Sequence, residues 1–446
     1  MRITKISVTK LFGVFNHPVS LNMEDRITII HSPNGFGKTA LLRLINGFFN
    51  SQYSEIFNIP FAGFKMDFDD GSYLQITKSV LPSSDDKKHQ QLTLKFLGCD
   101  GELKSEKIPP KSSTSSTNTF EDQISNLTSM QKRIELMVKQ LGVAIGTGTM
   151  PLEDTRKRSD KLQDADLEIV KKESKWLSDL KKQFHVSLIE SQRLSYLSAF
   201  PQGWVGWEPP SMILSVDTYS KELAKNIQTK LAEYATLSQS LDRIFPARVV
   251  NDKAPSDLTE ETLRNKFNQI EEQRSRLIKA GLLDKDETPD FQVQQNIDET
   301  TKNILYFYLK DVETKNTIFN ELVTKIELFQ IIIKQRFLYK NLRIDKDKGF
   351  IFTTPDGKPL SPNDLSSGEQ HELVMLYELL FKVKPNSLIL IDEPEISLHV
   401  AWQIEFIKDL QAIIKLADFD VLIATHSPSI IDDRWDLTVG LKGPVE

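Results

Sequence analysis

The sequence predicts an α/β fold with an antiparallel β subdomain and an inserted arm of helices or coiled coil. An apolar strand over residues 26–30 runs into a loop of small residues and then into an amphipathic helix over 40–45. Apolar and polar residues alternate over 61–100, which is typical of antiparallel strands. From 213 to 338 apolar residues recur every three or four positions, which indicates helices.

The length and composition limit the class of protein. A chain of 446 residues, 39% hydrophobic and 26% charged, suits two or three domains or one domain with a large insertion. Its net charge of −6 indicates no general affinity for nucleic acid, although a local basic groove stays open. Cys99 is the only cysteine, so there is no disulfide framework or cysteine-rich zinc site. No apolar run approaches about 18 residues, so we expect a cytoplasmic protein without a membrane span.

The loop after the first apolar strand has the residues of a phosphate-binding loop. Glycines at 35 and 37 let backbone N–H groups turn toward a polyphosphate. Lys38 would reach the β- and γ-phosphates, and the Thr39 hydroxyl would bind Mg²⁺. Ser32 departs from the pattern, because a glycine is usual at that position. The candidate nucleotide-binding residues of this loop are Asn34, Gly35, Gly37, Lys38 and Thr39.

The part of the chain before residue 200 predicts strands on both sides of a helix-rich stretch. Residues 3–30 predict two or more strands around a polar turn at Asn16-His17-Pro18. Asp69-Asp70-Gly71 predicts a hairpin turn. Residues 111–119 are low in complexity and predict a mobile loop, and 120–182 favour helix. The run 186–190 then predicts a core strand.

The helical stretch predicts an arm of packed helices. Its narrow apolar stripe fits antiparallel helices or a short coiled coil. Pro246, Pro255, Gly281 and Pro289 divide the stretch into about three segments. Residues 342–360, which follow, predict a β-hairpin.

Three more motifs lie in the C-terminal part of the chain. Residues 365–370 open a helix with serines and a glycine, whose exposed N–H groups and hydroxyls can hold a phosphate. An apolar strand ends in Asp392, which would hold Mg²⁺, and Glu393, which would act as general base on the attacking water. A second buried strand, 421–425, leads to His426, which can hydrogen-bond the γ-phosphate.

This set of motifs resembles an ABC-type ATPase of the structural-maintenance (SMC), RecF and overcoming-lysogenisation (OLD) kind, over roughly residues 1–100, 185–195 and 340–435. The resemblance implies ATP as nucleotide, Mg²⁺ as metal, and a head-to-tail dimer in which each ATP lies between Walker A of one subunit and the signature of the other. It assigns Lys38 and Thr39 to Walker A; Ser366, Ser367, Gly368 and Glu369 to the nucleotide-binding signature; Asp392 and Glu393 to Walker B; Ser397-Leu398-His399 to the D-loop; His426 to the switch histidine; and Gln192 to a Q-loop that touches nucleotide and metal.

The same resemblance divides the chain into parts of an ATPase head and two insertions. The predicted parts are head, 1–100; helix-rich insertion with the mobile loop, 101–184; Q-loop part of the head, 185–212; helical arm, 213–340; and the C-terminal head with signature, Walker B and switch histidine, 341–446.

The resemblance leaves three kinds of ABC-type ATPase as alternative interpretations of the function. A transporter subunit normally lacks so long a helical insertion. A RecF- or Rad50-like DNA-repair ATPase would act on DNA ends. The run from Ile391 to His399, the compact arm and the signature most resemble anti-phage defence ATPases, above all those of PARIS-type systems and next the Septu ATPase.

The PARIS resemblance implies a homo-oligomeric scaffold that holds a separate nuclease inactive. The nuclease would be of the Toprim type, with an HNH type as the alternative, and a phage-encoded trigger protein that mimics DNA would release it. Only 20 residues follow His426, which leaves no room for a Toprim domain in this sequence. His17, His31, His89 and His185 are scattered and are expected to be structural or solvated.

Overall fold

The structure is a computed structural model that describes residues 1–81, 89–108, 166, 169–171, 173–190, 195–197, 212–285 and 297–443. Three sequence predictions lie outside these residues, namely Gln192, the loop 111–119 and the break at Pro289. The strands are β1 (Ile3–Leu11), β2 (Phe15–Ser20), β3 (Ile27–His31), β4 (Gly63–Phe68), β5 (Tyr73–Leu81), β6 (His89–Leu97), β7 (Leu103–Ile108), β8 (Val186–Ile189), β9 (Ser195–Leu197), β10 (Met212–Leu214), β11 (Asn341–Asp345), β12 (Gly349–Thr353), β13 (Pro359–Leu360), β14 (Leu388–Asp392), β15 (Asp420–Thr425) and β16 (Thr438–Gly440).

The helices lie between groups of these strands. The α-helices are α1 (Lys38–Phe49), α2 (Tyr53–Asn58), α3 (Lys175–Lys182), α4 (Ser215–Asn251), α5 (Glu260–Lys279), α6 (Glu299–Asn316), α7 (Asn320–Arg336), α8 (Ser367–Tyr377), α9 (Val400–Gln403), α10 (Phe406–Ala417) and α11 (Pro428–Ile431). Short 3₁₀ segments cover Thr317–Phe319, Pro362–Asp364, Pro394–Ile396 and Trp435–Leu437, and a π-helical turn covers Glu378–Lys382. No helix within the described ranges is long and apolar enough to cross a membrane.

The chain divides into two compact units, each made of separated segments. The first unit comprises Met1–Glu24, Ile30–Leu188 and Val439–Glu446, and the second comprises Asp25–Ile29 and Ile189–Thr438. The predicted Walker A loop lies in the first unit. The predicted arm, signature, Walker B and switch histidine lie in the second.

The first unit contains a six-stranded antiparallel sheet in the order β2-β1-β4-β5-β6-β7. Phe64, Met66 and Phe68 of β4 alternate with more exposed neighbours, so one face of the strand is buried. The predicted hairpin turn between β4 and β5 is confirmed, and the Asp70 carboxylate accepts a hydrogen bond from Ser72 N at 2.9 Å. The predicted antiparallel subdomain is therefore confirmed.

The predicted turn at Asn16-His17-Pro18 is wrong, because these residues lie in β2. The chain turns earlier, at Phe12 and Gly13, which have φ angles of 52° and 84°. β2 is an edge strand of the sheet, so the missing N–H of Pro18 removes no ladder bond from a central strand. Proline misled the sequence prediction because it is tolerated at an edge as well as in a turn.

Within the first unit, a buried lysine of helix α3 forms an ion pair and also binds helix α2. Lys181 Nζ lies 2.7 Å from the Glu173 carboxylate and 2.8 Å from the Tyr53 hydroxyl. Burial and the neighbouring Glu173 charge raise the pKa of Tyr53, so it stays a hydroxyl. The predicted helical bias of 120–182 is confirmed over 175–182, and most of its remainder lies outside the described residues.

The second unit is built on parallel strands. β14 pairs with β15 in parallel register, from Leu388 opposite Asp420 to Asp392 opposite Ala424. β3 lies on the other side of β15. Residues 388–391 and 421–425 are buried, which explains their continuous apolar sequence. Both strands were predicted, and their carboxyl ends meet at one edge of the sheet.

The arm consists of α4, α5, α6 and α7, and one predicted break in it is wrong. Pro246 lies inside α4. Just after it, the Arg248 guanidinium forms two hydrogen bonds with the Asp311 carboxylate of α6, one of them 2.7 Å long. On the other side of the proline, Lys315 Nζ of α6 donates to the Asp242 carboxylate of α4 at 3.0 Å. These two contacts help hold α4 against α6 on both sides of the proline, so tertiary packing overrides its local effect. The breaks at Pro255 and Gly281 are confirmed, and so is the hairpin over 342–360 as β11 and β12.

Candidate functional site: a Walker A loop and a carboxylate–histidine cluster

Two glycines give the Walker A loop of the first unit its shape. Gly35 and Gly37 have φ angles of 86° and 88°, which side chains rarely allow. A Cβ on Gly37 would lie 2.5 Å from Leu11 Cδ2, whereas a Cβ on Gly35 would meet open space. Gly37 is also the N-cap of α1, where no described side chain caps the helix. The loop thus presents the start of a helix to a ligand, as anion sites require.

Lys38 is buried beneath this loop and binds the loop's own backbone. Its Nζ donates to Ser32 O at 2.7 Å and to Pro33 O at 3.3 Å. Ser32 is itself buried, so the serine that departs from the motif contributes the carbonyl that holds the lysine. The loop is therefore organised around a positive charge.

His17 supports the loop from β2, a role that sequence reasoning missed. Its Nε2 lies 2.8 Å from Phe36 O, and its ring stacks on Phe15 at 5.4 Å between centroids. Burial lowers the pKa of His17, so the neutral ring donates its Nε2 hydrogen to the carbonyl. The expectation of a structural histidine stands for His17, but the sequence held no signal for the Phe36 contact.

The predicted base and switch histidine lie together in the second unit. Glu393 follows β14 with φ 48°, and its N–H donates to Ala424 O at 2.8 Å. His426 follows β15, and its Nε2 lies 3.4 Å from Glu393 Oε1. Both side chains are about one-third exposed, so solvent and a ligand can reach them. Asp392, at the end of β14, is half-buried.

A hydrogen-bond network fixes this cluster through residues that the sequence analysis did not select. The Glu395 carboxylate accepts the His426 N–H at 2.7 Å. Ser427 Oγ donates to Gln403 Oε1 at 2.7 Å, and Gln403 Nε2 donates to Glu395 O at 3.2 Å. Glu395 stands two residues after Glu393 and could have been noticed, whereas nothing marked Gln403. Gln403 Nε2 also donates to Leu398 O at 3.1 Å, so the network joins the switch loop to the D-loop.

The signature begins helix α8 with a reciprocal cap. Ser366 Oγ accepts from Glu369 N, and the Glu369 carboxylate accepts from Ser366 N at 2.8 Å. Burial by itself raises the pKa of Glu369, but hydrogen bonds from Lys340 and Ser366 outweigh it and lower the pKa. Ser366 and Ser367 are exposed. The carboxylate of Glu369, a residue predicted to bind nucleotide, points inward to the cap and to Lys340 Nζ, 2.6 Å away.

The signature and Walker B approach each other around a small pocket. A Cβ on Gly368 would lie 3.6 Å from Ser397 O of the D-loop. His371 lines the pocket together with Glu190, Asp392 and Ser397. His371 is a further residue that sequence reasoning missed, because a histidine within a helix carries no motif.

The residues present fit a magnesium nucleotide. The loop offers helix-terminal N–H groups and a lysine, which suit a polyphosphate. The Thr39 hydroxyl and the Asp392 carboxylate are oxygen ligands of the kind that Mg²⁺ prefers. Gln192, the third predicted metal contact, lies outside the described residues.

The chain is similar to part of one phage protein and, at low sequence identity, to solved SMC head domains. Protein ea59 of Escherichia phage lambda is 30% identical over 117 residues, which are 26% of this chain and only 22% of that protein. The SMC head domain from Thermotoga maritima is 13% identical with a TM-score of 0.35, and each chain is covered over 100% of its length. A Pyrococcus furiosus Smc head domain with an extended coiled coil is 11% identical with a TM-score of 0.32, over 98% of this chain and 93% of that one. Scores this low support no conclusion about function.

One match spans almost the whole chain. The family model AAA_15, described as an AAA ATPase domain, matches residues 1–431. That range contains the Walker A loop, the signature, Walker B and the switch histidine. The chain therefore belongs to the AAA_15 family of AAA ATPase domains.

Proposed function

We propose that this protein binds and hydrolyses ATP with the residues described above. The observation that carries the proposal is the contact of Glu393 with His426 at the end of two buried parallel strands, in a chain of an ATPase family. Lys38 and the N–H groups of the Walker A loop hold the phosphates. Glu393 takes a proton from the attacking water, and His426 donates to the γ-phosphate.

The backbone of Glu393 supports this role. A non-glycine residue with positive φ is uncommon, and Pro394 follows it directly. The strain is tolerated because Glu393 N is bound to Ala424 O of the neighbouring strand. Asp392, at the end of β14, would hold Mg²⁺, which would neutralise charge on the phosphates.

We further propose that two copies act together, head to tail. Ser366, Ser367 and Gly368 would complete the nucleotide site of the partner subunit. The exposure of both serines at the start of α8 supports this proposal. Glu369 would contribute by holding the helix start in place.

The proposed output is a homo-oligomeric scaffold of an anti-phage defence system. It would hold a separate nuclease, Toprim-type or HNH-type, and release it when a phage trigger protein binds. The attachment of the arm to the signature helix supports such signalling. Tyr219 of α4 donates to Glu378, just after α8, at 2.6 Å, and Lys340, just after α7, pairs with Glu369. Movement of the signature would therefore reach the arm.

The substitution Glu393→Gln tests the catalytic proposal. It keeps the size of the side chain but removes the base, so ATP turnover should fall at least about a hundredfold. ATP binding, measured by calorimetry, should persist. Glu405→Gln, a partly exposed glutamate that pairs with Lys408, is the matched control. Normal turnover by Glu393→Gln would exclude Glu393 as the base.

Plaque counts test the biological proposal against the repair alternative. Cells carrying this gene and its neighbouring nuclease gene should resist phage, and Glu393→Gln should abolish the protection. A repair ATPase would instead bind DNA ends in an ATP-dependent way, and its deletion would sensitise cells to DNA damage. Equal plaquing across a broad phage panel, with tight DNA-end binding, would favour repair.

A further inference from the structure

A pocket of about 20 Å³ lies between the signature helix α8 and the end of β14. This volume suits about one water molecule. Its polar lining residues are Asp392 of Walker B, Ser397 of the D-loop, Glu190 after β8 and His371 of α8. The pocket is thus bordered by the signature helix, the end of the Walker B strand and the D-loop.

The protonation of His371 follows from its contacts. Its Nδ1 lies 2.8 Å from the Ser367 carbonyl, which only accepts hydrogen bonds, so Nδ1 carries the hydrogen. Burial lowers the pKa of His371, which favours the neutral ring at pH 7. A neutral ring with hydrogen on Nδ1 presents Nε2 as an acceptor.

We propose that His371 is a positioning residue for Asp392, acting through one water molecule that donates a hydrogen bond to His371 Nε2 and another to the Asp392 carboxylate. The inference rests on the proposed function, in which Asp392 helps to hold Mg²⁺. His371 touches neither nucleotide nor metal in this arrangement.

Acceptor chemistry favours a water over a direct contact. Nε2 and a carboxylate are both acceptors, so they repel unless a donor lies between them. A water supplies two donors, and the pocket has the size for it. The same ring is fixed by Ser367, so the bridge would link the signature turn of a subunit to its own metal-binding carboxylate.

Two substitutions separate the bridge from the Ser367 contact. In His371→Asn the amide nitrogen takes the place of Nδ1 and keeps Ser367 bound, but nothing reaches the pocket. In His371→Gln the amide group reaches the place of Nε2 and can still accept from the water. Calorimetry would measure the affinity for a non-hydrolysable ATP analogue, with and without Mg²⁺.

In the wild-type protein Mg²⁺ should strengthen binding of the analogue. His371→Asn should reduce this Mg²⁺ enhancement about tenfold, as loss of an outer-shell partner does. It should leave the affinity without Mg²⁺ unchanged. His371→Gln should retain most of the enhancement, and His185→Asn, an exposed histidine of the first unit, is the control.

The outcomes distinguish the inference from the proposed function. Wild-type protein that binds no analogue would contradict the proposed function and, with it, this inference. A normal Mg²⁺ enhancement in His371→Asn would overturn the inference alone. Equal loss in both variants, accompanied by a lower melting temperature, would show a purely structural role and would also overturn it.

Discussion

Gly35 and Gly37 share a left-handed backbone but differ in the space around them, which gives a residue-scale prediction. Alanine at either position should cost about 1–2 kcal/mol of backbone strain. Gly37→Ala should cost more, because its Cβ would press on Leu11, which is fully buried and has no room to move. Urea denaturation should place Gly37→Ala below Gly35→Ala in stability, and the same order should hold for ATP affinity.

Gly440→Ala is the control, since no atom lies within 4 Å of the position of its Cβ and its φ is not positive. Equal stability of the Gly35 and Gly37 variants would show that the Leu11 side chain moves to accept the new Cβ. The need for glycine at both positions would then come from the backbone conformation alone.

At this scale the sequence predicted residues that belong to motifs and missed those that support them. Glu393 and His426 were selected because each ends an apolar strand, and they lie 3.4 Å apart. His17 and Gln403 were missed because their partners are distant in sequence or are backbone carbonyls. Residue type at one position carries no information about such a partner.

At the scale of the element, helix α8 carries a buried acid that is uncharged near neutral pH. Burial raises the pKa of Glu372 to about 8, Arg336 opposes the rise and Asp409 adds to it. The folded state therefore holds a proton that the unfolded state, with a pKa near 4.5, releases as pH increases. Stability contributed by this group is present below pH 4.5 and is lost as pH rises toward 8.

Glu372→Gln should remove this dependence. Between pH 5 and pH 8 the denaturation midpoint of the variant should fall less than that of the wild type, and the variant should be the more stable at pH 8. Glu313→Gln, a partly exposed glutamate paired with Lys266, should follow the wild-type curve. Parallel curves for Glu372→Gln and the wild type would mean that Glu372 is ionised in the folded protein.

Helices and strands were predicted well where the apolar periodicity was strong. They were predicted poorly where the prediction rested on a proline or a turn. The strands at 388–392 and 420–425 were evident because buried parallel strands are continuously apolar. The continuity of α4 through Pro246 was not, because the Arg248–Asp311 contact that helps hold α4 against α6 joins residues far apart in sequence. Local rules fail where a distant partner outweighs them.

At the scale of the whole molecule, the composite site predicts complementation between two inactive variants. Lys38→Ala removes the phosphate-binding charge, and Gly368→Asp places a carboxylate where the partner's phosphates would lie. A mixed head-to-tail dimer should contain one intact site and one doubly altered site. ATPase activity should therefore reappear on mixing, at up to half the wild-type value per dimer.

Native mass spectrometry would verify that mixed dimers form, and each variant alone is the control. Mixed dimers without activity would contradict the proposal of independent composite sites. Either one site would depend on the other, or the signature would not act across subunits.

The division into two units was not predictable from motif order. The sequence suggested a head interrupted by insertions. In the structure the chain crosses between the two compact units at 24/25, 29/30, 188/189 and 438/439. Three of these points fall within or beside strands rather than in linkers. Composition shifts mark linkers, so boundaries inside strands leave no trace in the sequence.

The first unit combines residues from both ends of the chain, which has a consequence for synthesis on the ribosome. The first unit includes residues after 438, and Leu441 N donates to His31 O within it at 3.2 Å. Its amino-terminal part must therefore wait, incomplete, until the whole of residues 189–438 has been translated. Contacts of such long sequence separation form slowly, and strands exposed during the delay attract other chains. A nascent chain of this protein should thus depend on chaperones until its last strand emerges, however stable the finished molecule is.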